Sequence, residues 1–142
     1  LKKIFLIPAT LLLLSGACTA GGGSSMPDVE TAELAYDNGR YSTAQTICDS
    51  IVNSVGFDSL GVDRLCRLAL LYSRLAEHHG DEEANTAQAA HCFETALSVN
   101  ADSTLMFMAG APVEEQARLA LISAINEGRK VPIRPDTLDY EP

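Results

Sequence analysis

Two stretches of this chain carry the same apolar spacing, and that spacing restricts the fold more than any other feature. Residues 44–52 place Ala44, Ile47, Cys48, Ile51 and Val52 where residues 89–97 place Ala89, Cys92, Phe93, Ala96 and Leu97. Steps of three, one, three and one put all five on one side of a helix of 3.6 residues per turn. A strand needs a period of two, which neither stretch has. Both are therefore expected to be helices that bury one stripe, in an all-α domain.

Punctuation divides the rest of the chain into helices of similar length. Ser25, Pro27 and Asp28 open a first helix that Asn38-Gly39 closes near Asp37. Ser42, with Gln45 three residues later, reads as a capping box opening the second helix. Residues 56–61 interrupt the pattern. Asp63 then starts a long helix through Leu65, Leu68, Ala69, Tyr72, Leu75 and Ala76, stopped by His78-His79-Gly80. A polar turn at 81–86 leads into the fourth helix, and residues 105–112 suit a short helix packed on it. Pro112-Val113-Glu114-Glu115 opens a final helix with Val113, Ala117, Ala120, Leu121, Ala124 and Ile125 inward. Its outward face would carry Glu115, Arg118, Ser123 and Asn126, with Gly128 as the stop.

The second and fourth helices, each preceded by a partner, form an internal repeat of a helix pair. AELAYDNGRYSTAQTICDSIV (32–52) resembles the tetratricopeptide repeat: Gly39 and Tyr41 fall at that family's turn, and Ala44 at the small residue where its helices cross. AQAAHCFETALSVNADS (87–103) matches the family's small, aromatic and small positions with Ala89, Phe93 and Ala96. Two departures stand out. Ala44 and Ala89 lie 45 residues apart, against a family period of about 34, and Ala101 stands where the family often has proline. The resemblance implies a short α-solenoid of antiparallel helix hairpins over 27–128, whose groove is lined from the first helix of each pair. The groove residues so implied are Glu33, Tyr36, Asp37, Arg67 and Arg74.

The front of the chain has a different character. Lys2 and Lys3 precede an apolar run at 4–14, followed by Ser15-Gly16-Ala17-Cys18. Eleven residues are too few for a span that needs about 20, but they suit a signal peptide. The run of small residues before Cys18 resembles the lipobox of bacterial lipoproteins, although Ser15 stands where the family usually has an aliphatic residue. The resemblance implies a signal peptide at 1–17 and acylation of Cys18, with 18–26 as a flexible glycine and serine tether. Ordinary signal peptidase cleavage after Ala17 or Ala20 is the rival reading. Thr19 carries no acidic retention signal, so the anchor is expected in the outer membrane, facing the periplasm.

Charge limits the partners. Without Lys2 and Lys3, the 10 basic and 19 acidic residues become 8 and 19, a formal charge of −11. Such a domain repels nucleic acid and anionic headgroups, so membrane attachment would come through the lipid on Cys18. The tail at 129–142, rich in proline and acids, lacks periodicity and is expected to be extended or disordered.

Cys48, Cys66 and Cys92 fall on apolar helical positions, which suits small buried residues. Cys48 and Cys66 are equidistant from Phe57, so an antiparallel hairpin turning there would make them a candidate disulfide. Glu77-His78-His79-Gly80-Asp81-Glu82-Glu83 is the densest set of metal-ligating types, but adjacent helical histidines point about 100° apart. No metal and no cofactor are expected. The sequence has no nucleophile elbow, HExxH, P-loop or dinucleotide fingerprint.

The expected role is therefore non-enzymatic: a lipid-anchored scaffold of the cell envelope that holds another envelope protein or a peptide. An enzyme or metal-binding accessory using His78, His79 or His91 is the alternative, and a purely structural spacer is a third.

Overall fold

In the computed structural model, residues 28–130 are described. The expected signal peptide, Cys18, the expected tether and residues 131–142 of the expected tail lie outside them. Six helices follow in order: α1 (Val29–Asp37), α2 (Tyr41–Val52), α3 (Val62–His78), α4 (Glu82–Val99), α5 (Ala101–Gly110) and α6 (Val113–Lys130), with a 3-10 turn at Phe57–Ser59 between α2 and α3. Within these residues no helix is long and apolar enough to cross a membrane. The domain is all-α, six packed helices with hairpin-like contacts between α1 and α2 and between α3 and α4.

The α1 hairpin owes its geometry to one glycine. Gly39 adopts φ +71, a conformation that costs a residue with a Cβ about 1–2 kcal/mol. Its N–H donates to Tyr36 O at 2.8 Å and the Arg40 N–H donates to Ala35 O at 2.9 Å, so the last carbonyls of α1 are satisfied as the chain reverses. Helix α2 begins immediately, at Tyr41, with Arg40 as an N-cap that makes no side-chain bond. The expected box between Ser42 and Gln45 is thus absent, because both lie inside the helix. Gln45 instead turns inward and donates to Asp49 Oδ1 at 3.0 Å.

Helix α3 is the centre of the molecule. Leu65, Cys66, Leu68, Ala69, Leu70, Leu71, Tyr72 and Leu75 are all buried, more than one stripe can account for, as expected of a helix covered on several sides. All five other helices touch it. Tyr72, wholly buried, donates its hydroxyl to Asp49 Oδ1 on α2 at 2.7 Å. Burial, followed by the bond to the Asp49 carboxylate, pushes the Tyr72 pKa well above the usual phenol range.

Helix α4 starts earlier than expected, since the polar turn is its first turn. Asp81 caps it by accepting from the Ala84 N–H at 2.9 Å, and buried Asn85 donates to His79 O at 2.9 Å, closing the corner with α3. Ala44 and Ala89, with Cys48, Ile51, Phe93 and Ala96, all lie in the core. Helix α5 also starts earlier, at Ala101, because Asn100 accepts from the Ser103 N–H. Thr104 is its buried residue, and Leu105 and Met106 face outward.

Helix α6 corrects the sequence reading most. Leu119, Ile122 and Asn126 are buried and Ile125 is half-buried, whereas Val113, Ala117, Ala120, Leu121 and Ala124, expected inward, are exposed. Glu115, Arg118 and Ser123, expected outward, are half-buried. Burying Leu119 and Ile122 contributes roughly 1.5–3 kcal/mol each, as Leu121 and Val113 would have done on the other face, so apolar area alone does not choose between them. Gly128 does not stop the helix either: it continues to Lys130, whose Nζ lies 3.3 Å from Glu94 Oε1 on α4.

Candidate functional site

Two of the expected groove residues hold each other. Arg67 on α3 donates to Glu33 on α1 through Nε at 3.0 Å and Nη2 at 2.5 Å, with Glu30 at 3.6 Å and Asp63 at 3.5 Å around the same guanidinium. The bond to Glu33 is the largest cause of the raised Arg67 pKa. This clasp ties α1 to α3, and its donors are already occupied. Asp37 is exposed on the last turn of α1.

Tyr36 and Arg74 lie elsewhere. Tyr36 is 5.0 Å from Tyr41, ring centre to ring centre, and His78 stacks on Tyr41 at 5.6 Å with 13° between planes. Burial and then the neighbouring Tyr41 raise the Tyr36 pKa; the charges of Arg74, Glu77 and Arg118 also act on its hydroxyl. The aromatic cluster therefore borders the crossing of α3 and α6.

At that crossing four charged residues form two reciprocal bridges. Arg74 donates to Glu115 at 2.6 Å, and one turn on Arg118 reaches back to Glu77 at 2.6 and 3.1 Å and to Ser73 Oγ at 3.2 Å. Because Arg74 precedes Glu77 as Glu115 precedes Arg118, the two helices run in the same direction here. The bond from Arg118 is the largest cause of the Glu77 pKa lying below its usual range, and the Arg118 pKa is raised in turn.

Above these bridges opens a cavity of about 700 Å³, walled by Arg74, Pro112, Glu114, Ala117, Arg118 and Leu121 among others. It shares Ser73, Glu77 and Leu121 with a second depression, which Ala76, Ala89, Ile122 and Ile125 floor. That one shares Glu82 and Thr86 with a third, at Asp81, Glu83 and Arg129. The three form one groove along α6, from Pro112 to Arg129, about 26 Å at 1.5 Å per residue. Its walls are apolar in the middle and mostly acidic at the rim. Of the five expected residues only Arg74 lines it, and Tyr36 stands beside it.

Sequence reasoning missed Glu77, Glu115, Arg118 and Leu121 as groove residues. A signal for the first three existed: the Arg-x-x-Glu of α3 is the charge mirror of the Glu-x-x-Arg of α6.

Among the described residues the cysteines and histidines do not assemble into a further site. Cys48, Cys66 and Cys92 are buried free thiols, so Cys48 and Cys66 are not bridged here. Burial pushes the Cys48 and Cys66 pKa values up to about 12, leaving both thiols protonated and inert. His78 stacks on Tyr41, the His79 carbonyl accepts from Asn85, and His91 stacks on Phe57 at 5.4 Å. Among the described residues no group of three or more His, Cys, Asp or Glu is placed to hold a metal ion. No protein-family model, curated protein or solved structure matches the chain.

Proposed function

We propose that this chain is a lipid-anchored, non-enzymatic interaction module of the bacterial cell envelope that holds a segment of another envelope protein in the groove along α6. The observation that carries this reading is the exposure of an apolar stripe inside a groove of that length. Leu121, 60% exposed, and Ala117, exposed one turn before it, both line the groove, while the core is completed by Leu119 and Ile122 of the same helix. Side chains not needed for folding are free to be used for binding.

The anchor and the repeat belong to the same proposal. Acylation at Cys18 would place the domain on the periplasmic face of the outer membrane, close to its partners, by the lipobox resemblance. The hairpins α1/α2 and α3/α4 are read as divergent tetratricopeptide-like units of a short solenoid. The shared burial of Ala44 and Ala89 supports this, as does the turn at Gly39.

The test is photo-crosslinking in the native cell, with a photoreactive residue at Ala117 or Leu121 in the full-length chain and at Ser50 on α2 as the comparison. A discrete adduct at the groove positions, absent from Ser50 and lost when Cys18→Ser detaches the chain, is the expected result. Equal labelling at all three sites, or none, would remove the groove from the proposal.

A further inference from the structure

The occupant of the groove can be described from the chemistry of its walls, an inference that rests on the groove being the binding site. We infer that it is a cationic amphipathic helix. Six carboxylates line the groove and three guanidinium groups face them. Arg74 and Arg118 are each held by a carboxylate, Glu115 and Glu77. Asp81, Glu82, Glu83 and Glu114 then outnumber Arg129, which leaves the rim negative at both ends, Glu114 at one and the other three carboxylates at the other. In a groove walled on two sides that field is focused and attracts positive charge.

The shape of the apolar stripe selects a helix. On α6 the groove is lined by Ala117, Leu121 and Ile125, which succeed one another by four residues, with Ile122 beside them, the ridge spacing along which a second helix packs on a first. Alanine side chains let the two axes come close, to about 8–10 Å. A strand cannot dock here by β-augmentation, which needs a row of unpaired backbone groups that α6 does not offer. The complementary ligand has leucine or alanine on one side and lysine or arginine on both flanks, over about 17 residues to match a groove of about 26 Å. A second copy of the chain is disfavoured. Antiparallel α6 helices centred on Ala120 and Leu121 would set Glu114 of each against Glu127 of the other.

Two synthetic 18-residue helices test this, identical on the apolar side and carrying lysine or glutamate on the flanks. Their affinity for the full-length chain is measured by fluorescence anisotropy at low and physiological salt. The lysine peptide is expected to bind at least about tenfold more tightly than the glutamate peptide and to weaken with salt. It should lose about tenfold on Leu121→Glu and severalfold on Glu82→Gln with Glu83→Gln; all variants are checked for unchanged melting.

If the glutamate peptide binds as well or better, the charge inference is wrong, and a loss on Leu121→Glu would still leave the groove standing. Lysine-peptide binding indifferent to Leu121→Glu would reflect general attraction to an acidic chain and overturn the inference. Binding of neither peptide also overturns it, while the crosslinks judge the groove separately.

Discussion

Arg118 of α6 and Glu77 of α3 meet through two hydrogen bonds, Nη1 to Oε1 at 2.6 Å and Nη2 to Oε2 at 3.1 Å. With the Arg74 to Glu115 pair one turn earlier, this contact fixes which side of α6 faces the core. It thereby leaves Leu121 and its neighbours in the groove. The position of the last helix and the existence of the groove are one event in this fold.

A double-mutant cycle on Glu77→Ala and Arg118→Ala measures that contact. The Glu77 side chain is half exposed, so the coupling is expected at about 0.5–1 kcal/mol, in the range of surface pairs. The folded pKa of Glu77 is lowered, chiefly by the Arg118 hydrogen bond. Its contribution is therefore complete above the unfolded value of about 4.3 and fades as pH falls below it through the folded pKa. Urea melts at pH 7 and pH 3 should show the coupling at the first and little of it at the second. Equal coupling at both would contradict the pair.

The facing of α6 is tested by two leucines two positions apart. Leu119 is fully buried and Leu121 is 60% exposed. Leu119→Ala is expected to cost about 2–5 kcal/mol, and Leu121→Ala within about 0.5 kcal/mol of nothing. The reverse order in chemical denaturation would restore the face inferred from periodicity.

Tyr72→Phe removes the hydroxyl that links α3 to Asp49 on α2 while keeping the ring in the core. A hydrogen bond to a carboxylate contributes roughly 1.5–3 kcal/mol, and Gln45 still donates to Asp49, so a loss near the lower figure is expected. Denaturation that Tyr72→Phe leaves unchanged would mean the link is not stabilising.

The thiols offer a chemical check. With all three cysteines of the domain buried and unbridged, a neutral disulfide reagent at pH 8 should find none of them in the native protein. In denaturant without reductant it should find Cys48, Cys66 and Cys92 together. Recovery of only one would establish a bridge.

Much of the helical content was legible in the sequence, because it depends on local chemistry. Gly39 ends α1 by backbone freedom, Pro112 opens α6, and the stripe from Ala44 to Val52 is inward in the structure as its spacing demands. Helix starts were less legible. Asp81 and Asn100 cap α4 and α5 with side-chain bonds that a composition of polar residues does not distinguish from a loop.

What the sequence determined by itself was the class of fold, all-α with a glycine-turned hairpin, since periodicity and caps act over a few residues. Which face of α6 turns inward was decided only by tertiary structure. That helix carries two competing stripes, one of alanines with Leu121 and one of Leu119, Ile122 and Asn126. The choice between them depends on area buried against α4 and on guanidinium partners supplied by α3, more than thirty residues away in the chain. The groove follows from that choice, so no pattern within a single helix could have located it; the mirrored charges of α3 and α6 signal it only as a pair.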